Sequence, residues 1–159
     1  MAMHTWFECK IRYEKTMENG MQKKVTEPYL VDALSFTEAE ARIIEEMTPF
    51  ITGEFTVSDI KRANYSELFP SDEESADRWF KCKLIFITLD EKSGAEKKTS
   101  TQVLVQAADL RDAVKKLDEG MKGTMADYQI VMVSETPLMD VYPYSAEPND
   151  KPEFDPSKA

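Results

Sequence analysis

Two thiols, one imidazole and two tryptophan–lysine pairs are the side chains whose types and spacing could support chemistry here. A thiolate nucleophile needs a base within hydrogen-bond reach. Cys9 and Cys82 each fall in an alternating run that turns them towards a core, and the single histidine, His4, lies near the amino end. Ser-His-Asp and Cys-His arrangements therefore have no well-placed base. A zinc site takes four ligands, and Cys9, Cys82 and His4 offer three. Glu38, Glu40, Glu45 and Glu46 have the spacing of a solvated helix face, and Asp72, Glu73 and Glu74 match no calcium loop. The five glycines stand singly, so there is no phosphate-cradling loop. The expectation is a chain without catalytic residues, metal or cofactor, and not an enzyme.

Trp6 with Lys10, and Trp79 with Lys83, are the binding candidates. Each pair lies two same-face steps apart on the outer side of a strand, where a cation over an indole gives a cation–π pair or a platform for an anionic or planar ligand. The alternative is that each indole covers the neighbouring unit while the lysine stem lies along it.

These pairs occupy matching places because the chain repeats itself. Trp6-Phe7-Glu8-Cys9-Lys10-Ile11 returns as Trp79-Phe80-Lys81-Cys82-Lys83-Leu84, 73 positions later. Gly20, Lys23, Lys24, Ala33, Ala39 and Met47 return at 74 as Gly94, Lys97, Lys98, Ala107, Ala113 and Met121; Leu68-Phe69-Pro70 returns at 73 as Val141-Tyr142-Pro143. Each copy opens with an alternating strand (residues 5–15 and 79–89), turns at Asn19-Gly20 or Ser93-Gly94, and returns along 24–34 or 99–108. Asn-Gly at the first turn predicts a two-residue type I′ hairpin. Pro28 removes a ladder donor and favours an edge or a bulge. Ser35-Phe36-Thr37-Glu38 reads as a capping box, and Asp109-Leu110-Arg111-Asp112 as its carboxylate counterpart. The stripes Phe36, Ala39, Ile43, Met47 and Leu110, Ala113, Leu117, Met121 predict amphipathic helices, followed by third strands near 54–63 and 128–135.

The expected fold is α+β: an internal duplication of a β-hairpin–helix–strand unit, rich in antiparallel pairing, with two helices on one sheet face and a pseudo-twofold axis. Its parts are a first unit at 4–70, an acidic linker at 71–78, a second unit at 79–144 and a disordered, proline-containing acidic tail at 145–159. Units of this size are marginal alone, so both should form one compact body.

The copies also disagree. Arg12 and Glu14 become Ile85 and Ile87, and the alternating run around Ser58 becomes the nearly continuous apolar run Ile130-Val131-Met132-Val133. Ile85, Ile87, Val131 and Val133 are therefore interface candidates, covered by the other copy, a partner chain or an identical subunit.

Composition narrows the partners. The net charge is −10, with 42% hydrophobic and 31% charged residues. A phosphate backbone would be repelled, so nucleic acid is not an expected partner. No apolar run is long enough for a bilayer and no signal peptide is evident, which points to a cytoplasmic chain without membrane contact. In a reducing compartment Cys9 and Cys82 are expected as buried thiols, the alternative being a bridge between the copies.

The Trp6-Phe7-x-Cys9-Lys10 opening, the run from Tyr29 to Arg42 and the close Val141-Tyr142-Pro143-Tyr144 resemble a family of small Bacteroidetes proteins, also found in their phages, known as a domain of unknown function. The resemblance spans about residues 4–146 and implies a source class but no catalytic residues. The function expected from the residues is binding or regulation through protein–protein contacts, with a protein partner or a homodimer. The alternatives are a small ligand in a groove between the copies, or an acidic decoy of a phage or mobile element.

Overall fold

The computed structural model describes residues 5–124 and 127–143. The first alternating runs form β1 (Thr5–Thr16) and β5 (Arg78–Leu89), and their return strands are β2 (Gln22–Ala33) and β6 (Glu96–Ala107). The helices are α1 (Phe36–Met47) and α2 (Leu110–Gly120), and the third strands are β3 (Phe55–Ala63) and β7 (Asp127–Glu135). The closing segments become two short strands, β4 (Glu67–Phe69) and β8 (Asp140–Tyr142). Among the described residues the fold is α+β, with two helices and two mixed four-stranded sheets, ordered β3-β1-β2-β8 and β4-β6-β5-β7. The proposed tail at 145–159 and His4 lie outside the described residues. Among the described residues no helix is long and apolar enough to cross a membrane.

Each closing strand pairs with a strand from the other half of the sequence. β8 pairs parallel with β2, Leu30 facing Val141, and β4 pairs parallel with β6, Leu104 facing Leu68. One compact unit therefore joins the residues up to Ala63 to those from Met139, and the other runs from Asn64 to Leu138. The repeat boundaries 4–70 and 79–144 are crossed at both closing strands. Geometry explains the trade. A strand beside β2 and parallel to it would begin about 14 Å sideways and about 10 Å back from the end of β3. The four Cα steps from Ala63 to Glu67 span at most about 14 Å, too little to reach it.

Within each unit the helix packs on one sheet face. In the first, Phe7, Cys9, Ile11, Val31 and Ala33 meet Ala39, Ile43 and Met47. In the second, Phe80, Cys82, Leu84, Val103, Val105 and Ala107 meet Ala113, Leu117 and Met121. On the opposite sheet faces Leu30, Leu104 and Trp79 are buried as well. The helix starts follow their sequences. Ser35 Oγ accepts from the Glu38 amide at 3.1 Å, and Glu38 Oε1 accepts from the Leu34 amide at 2.7 Å. Asp109 Oδ1 and Asp112 Oδ2 do the same for the amides of Asp112 and Ala108, at 2.8 and 2.9 Å.

Two local readings change. The first hairpin is not a two-residue type I′ turn: the Gly20 amide donates to Met17 O at 2.9 Å and Gly20 takes φ 84°, which makes a three-residue loop ending in a left-handed glycine. In the second hairpin the Gly94 amide reaches back to Asp90 O at 2.7 Å, one residue further, and this is where the spacing grows from 73 to 74. Pro28 lies in an inner strand, but β8 covers only Tyr29 to Val31, so Pro28 sits where the open edge begins and its carbonyl accepts the Met139 amide at 2.9 Å. The acidic joint is not a plain linker. The Ser71 amide donates to Gln106 Oε1 at 2.9 Å, Glu73 pairs with Lys116 at 2.8 Å, and Ala76 is buried.

Candidate functional site

Both tryptophan–lysine pairs sit on the outer face of β1 or β5, opposite the start of a bulge. Between Lys10 and Ile11 the pairing with β3 skips Ser58; between Lys83 and Leu84 the pairing with β7 skips Val131. The bulges thus fall at matching positions, 73 apart. Trp6, Lys10 and Lys83 are half-buried and Trp79 is buried. Among the described residues no cation lies over either indole. The rings that carry a cation are Phe7 and Phe36, packed edge to face at 4.9 Å, with the Arg62 guanidinium 5.6 and 5.3 Å from their centres.

The bulge also sorts the interface candidates. Because one residue is inserted at Val131, the strand's facing shifts: Ile130 and Val133 both pack against the helix-side core. Val133 is therefore an inward residue and not part of an outer surface. Val131 and Met132 remain outside, 52% and 42% exposed, with Met132 opposite Lys83. Ile85 and Ile87 are half-buried on the same outer face. β7 is an edge strand, so this apolar group lies beside unpaired backbone. Met132 escaped the sequence reading because strict alternation places it on the same face as Ile130.

A second cluster occupies the helix side of the first sheet. Glu27 stands opposite Ile11, and its Oε1 accepts from Tyr13 OH at 2.9 Å and from Tyr29 OH at 3.2 Å. Lys15 Nζ lies 3.7 Å from Oε2. The Glu27 side chain is 12% exposed and the Lys15 side chain 49%. Burial, then the Glu27 hydrogen bond and charge, raises the Tyr13 hydroxyl above its ordinary range; burial, then the Glu27 charge and hydrogen bond, does the same for Tyr29. Tyr142, brought by β8, stacks with Tyr29 at 6.2 Å between centres, and burial with the Asp140 and Glu46 charges pushes it up to about 12. Glu46 is thus half-buried beside Tyr142, not a freely solvated face residue.

The thiols are free and buried, one in each helix-side core. Burial, with the Glu8 and Asp59 charges, pushes Cys9 up to about 12, and burial alone pushes Cys82 up to about 11. Both are held as inert thiols near neutral pH. Among the described residues no group of three His, Cys, Asp or Glu side chains is placed to hold a metal ion.

Two helix-backed mixed sheets, a bulged apolar edge and two buried thiols define an α+β protein among the described residues. The chain belongs to the family described as Domain of unknown function (DUF4494), whose model matches residues 5–144. No curated protein matches it.

Proposed function

We propose that the chain is a non-enzymatic binding protein acting through protein–protein contacts, and that the outer side of β7 and β5 is its contact surface. The observation that carries this reading is the exposed pair Val131 and Met132, set by a bulge on an edge strand beside Ile85 and Ile87. In a chain of net charge −10 such a pair is costly to leave in water and useful in an interface. The inert thiols support a binding role over a catalytic one.

The test joins light scattering of the full chain over a range of concentrations with photo-crosslinking from position 132 in source cells. The expected result is an assembly, with itself or a second protein, that Val131→Lys with Met132→Glu abolishes while the melting transition stays put. A strict monomer with no discrete adduct from position 132 overturns the reading.

The two halves, in this reading, descend from one duplicated module. Supporting it are the sequence repeat, the shared strand order, the matching caps and the bulges at Ser58 and Val131. A single module, residues 79–143 alone, is then expected to form a homodimer by trading its closing strand. A stable folded monomer of that piece would refute the idea.

A further inference from the structure

β4 pairs with β6 only from Val103 onward, and the last bond before it runs from the Ser66 amide to the Gln102 carbonyl at 2.8 Å. Behind that bond an open groove of about 450 Å³ lies against the edge of β6. Among the described residues it is lined by Asn64, Tyr65, Ser66, Ser100, Thr101 and Gln102. All six are polar and none is charged, in a chain of which 31% is charged. The charge stops where the groove starts, since Glu96, Lys97 and Lys98 precede it along β6. An open strand edge is ordinarily guarded by charge or proline. The matching place in the other sheet is marked by the Met139 amide on the Pro28 carbonyl at 2.9 Å. It is guarded in that way, with Pro28 on the strand and Pro137 and the buried Leu138 ahead of β8. The strand arrangement therefore does not require a neutral polar notch.

Three of these side chains have hydrogen-bonding capacity to spare. The carboxamides of Asn64 and Gln102 and the Ser100 hydroxyl make no hydrogen bond among the described residues. Two other hydroxyls have a set direction. Ser66 Oγ donates its one proton to the Gln102 carbonyl at 3.1 Å, so Thr101 must donate its own to Ser66 Oγ at 2.9 Å. Thr101 Oγ1 is left able only to accept. A carboxamide donates and accepts, and so does a ligand hydroxyl, so the two match without any charge. A charged ligand would find no counter-charge in this lining and would lose hydration uncompensated. Tyr65, half-buried, adds an aromatic ring to the otherwise hydroxyl and amide wall.

We propose that this groove binds a neutral polyhydroxylated ligand, a single sugar residue. The Asn64 and Gln102 carboxamides hold its hydroxyls, and Thr101 Oγ1 accepts from one of them. The volume falls in the range of small-molecule sites, roughly 300–1,000 Å³. The groove lies across the sheet from β7, so it goes beyond the protein-contact reading and stands or falls without it.

The probes are D-glucose, D-galactose, N-acetyl-D-glucosamine, maltotriose and chitotriose, titrated into the isotope-labelled full chain. D-glucuronate and D-glucosamine are the charged comparisons. The carboxamide signals of Asn64 and Gln102 and the backbone amides of Ser66 and Ser100 are followed by NMR. Saturable shifts at these signals are expected with a neutral sugar, and weaker binding with the charged ones. Binding of a monosaccharide marks a small-molecule source, and binding of a trisaccharide alone marks a glycan chain. Asn64→Ala combined with Gln102→Ala is expected to bind about tenfold more weakly, as the loss of two neutral hydrogen-bonding groups implies. Its melting temperature should not fall, because neither carboxamide is bonded within the described residues. Ser100→Lys, at an exposed strand position, keeps both carboxamides and is expected to abolish binding by filling the groove. The proposal is overturned if no neutral sugar binds saturably, if the charged sugars bind as well as the neutral ones, or if either variant binds as the parent does.

Discussion

Arg42 Nη2, on α1, donates to the carbonyl of Pro143 at 3.2 Å, across 101 positions of sequence. The same guanidinium donates through Nη1 to the Asp32 carbonyl on β2. One side chain therefore holds the strand that receives β8 and the residue that follows it. At the matching place on α2, Lys116 Nζ holds the segment after β4, donating to Ser71 Oγ at 3.1 Å and Glu73 Oε1 at 2.8 Å and pairing with Asp112 at 3.0 Å. A basic residue at one helix position thus secures the traded strand in both units, by different contacts.

Arg42→Ala should lower stability by about 1.5–3 kcal/mol, the range for hydrogen bonds involving a charged group. For a chain of this length about 1 kcal/mol moves the melting temperature by roughly 2–4 °C. Urea denaturation followed by tryptophan fluorescence measures it. A midpoint unchanged in Arg42→Ala would mean that β8 is held without this clamp.

Gly120 ends α2, and a Cβ there would stand 2.8 Å from the Phe69 ring on β4. The glycine serves close packing of the closing strand against the helix end. Gly120→Ala should cost about 1–3 kcal/mol through overpacking. Shortening the ring with Phe69→Leu should recover part of that loss in a double-mutant cycle, and strict additivity would show that the two residues do not meet.

The thiols give a pH prediction with a definite sign. Cys9 and Cys82 keep their protons up to about 12 and about 11 when folded, against an ordinary value of 9.0. Above pH 9 the unfolded chain binds fewer protons than the folded one, so stability is fully present below pH 9 and falls as pH rises towards 11–12. A disulfide reagent at pH 8 should leave both thiols unmodified in native protein and modify both in denaturant. Rapid native-state labelling of either would contradict their burial.

Most of the elements were legible in the sequence because each is written in a local pattern. Alternation located β1 and β5, and Ser35 and Asp109 located the helix starts. What alternation hides is any break in its own period: the bulge at Val131 sends Val133 inward and Met132 outward. The destination of Leu68-Phe69-Pro70 was illegible for another reason, since three residues carry no period and their partner is decided by how far the chain from Ala63 can reach. Glu27 was readable in principle. It is a carboxylate on the inward face opposite Ile11, where the matching position of the other sheet, opposite Leu84, carries Thr101.

Traded closing strands underlie the unit boundaries and the roles given to Arg42, Lys116 and Gly120, and NMR tests them directly. Cross-strand nuclear Overhauser contacts are predicted between Leu30 and Val141 and between Leu104 and Leu68. Contacts linking Leu30 to Leu68 and Leu104 to Val141 instead would show that each repeat keeps its own strand and would contradict the account.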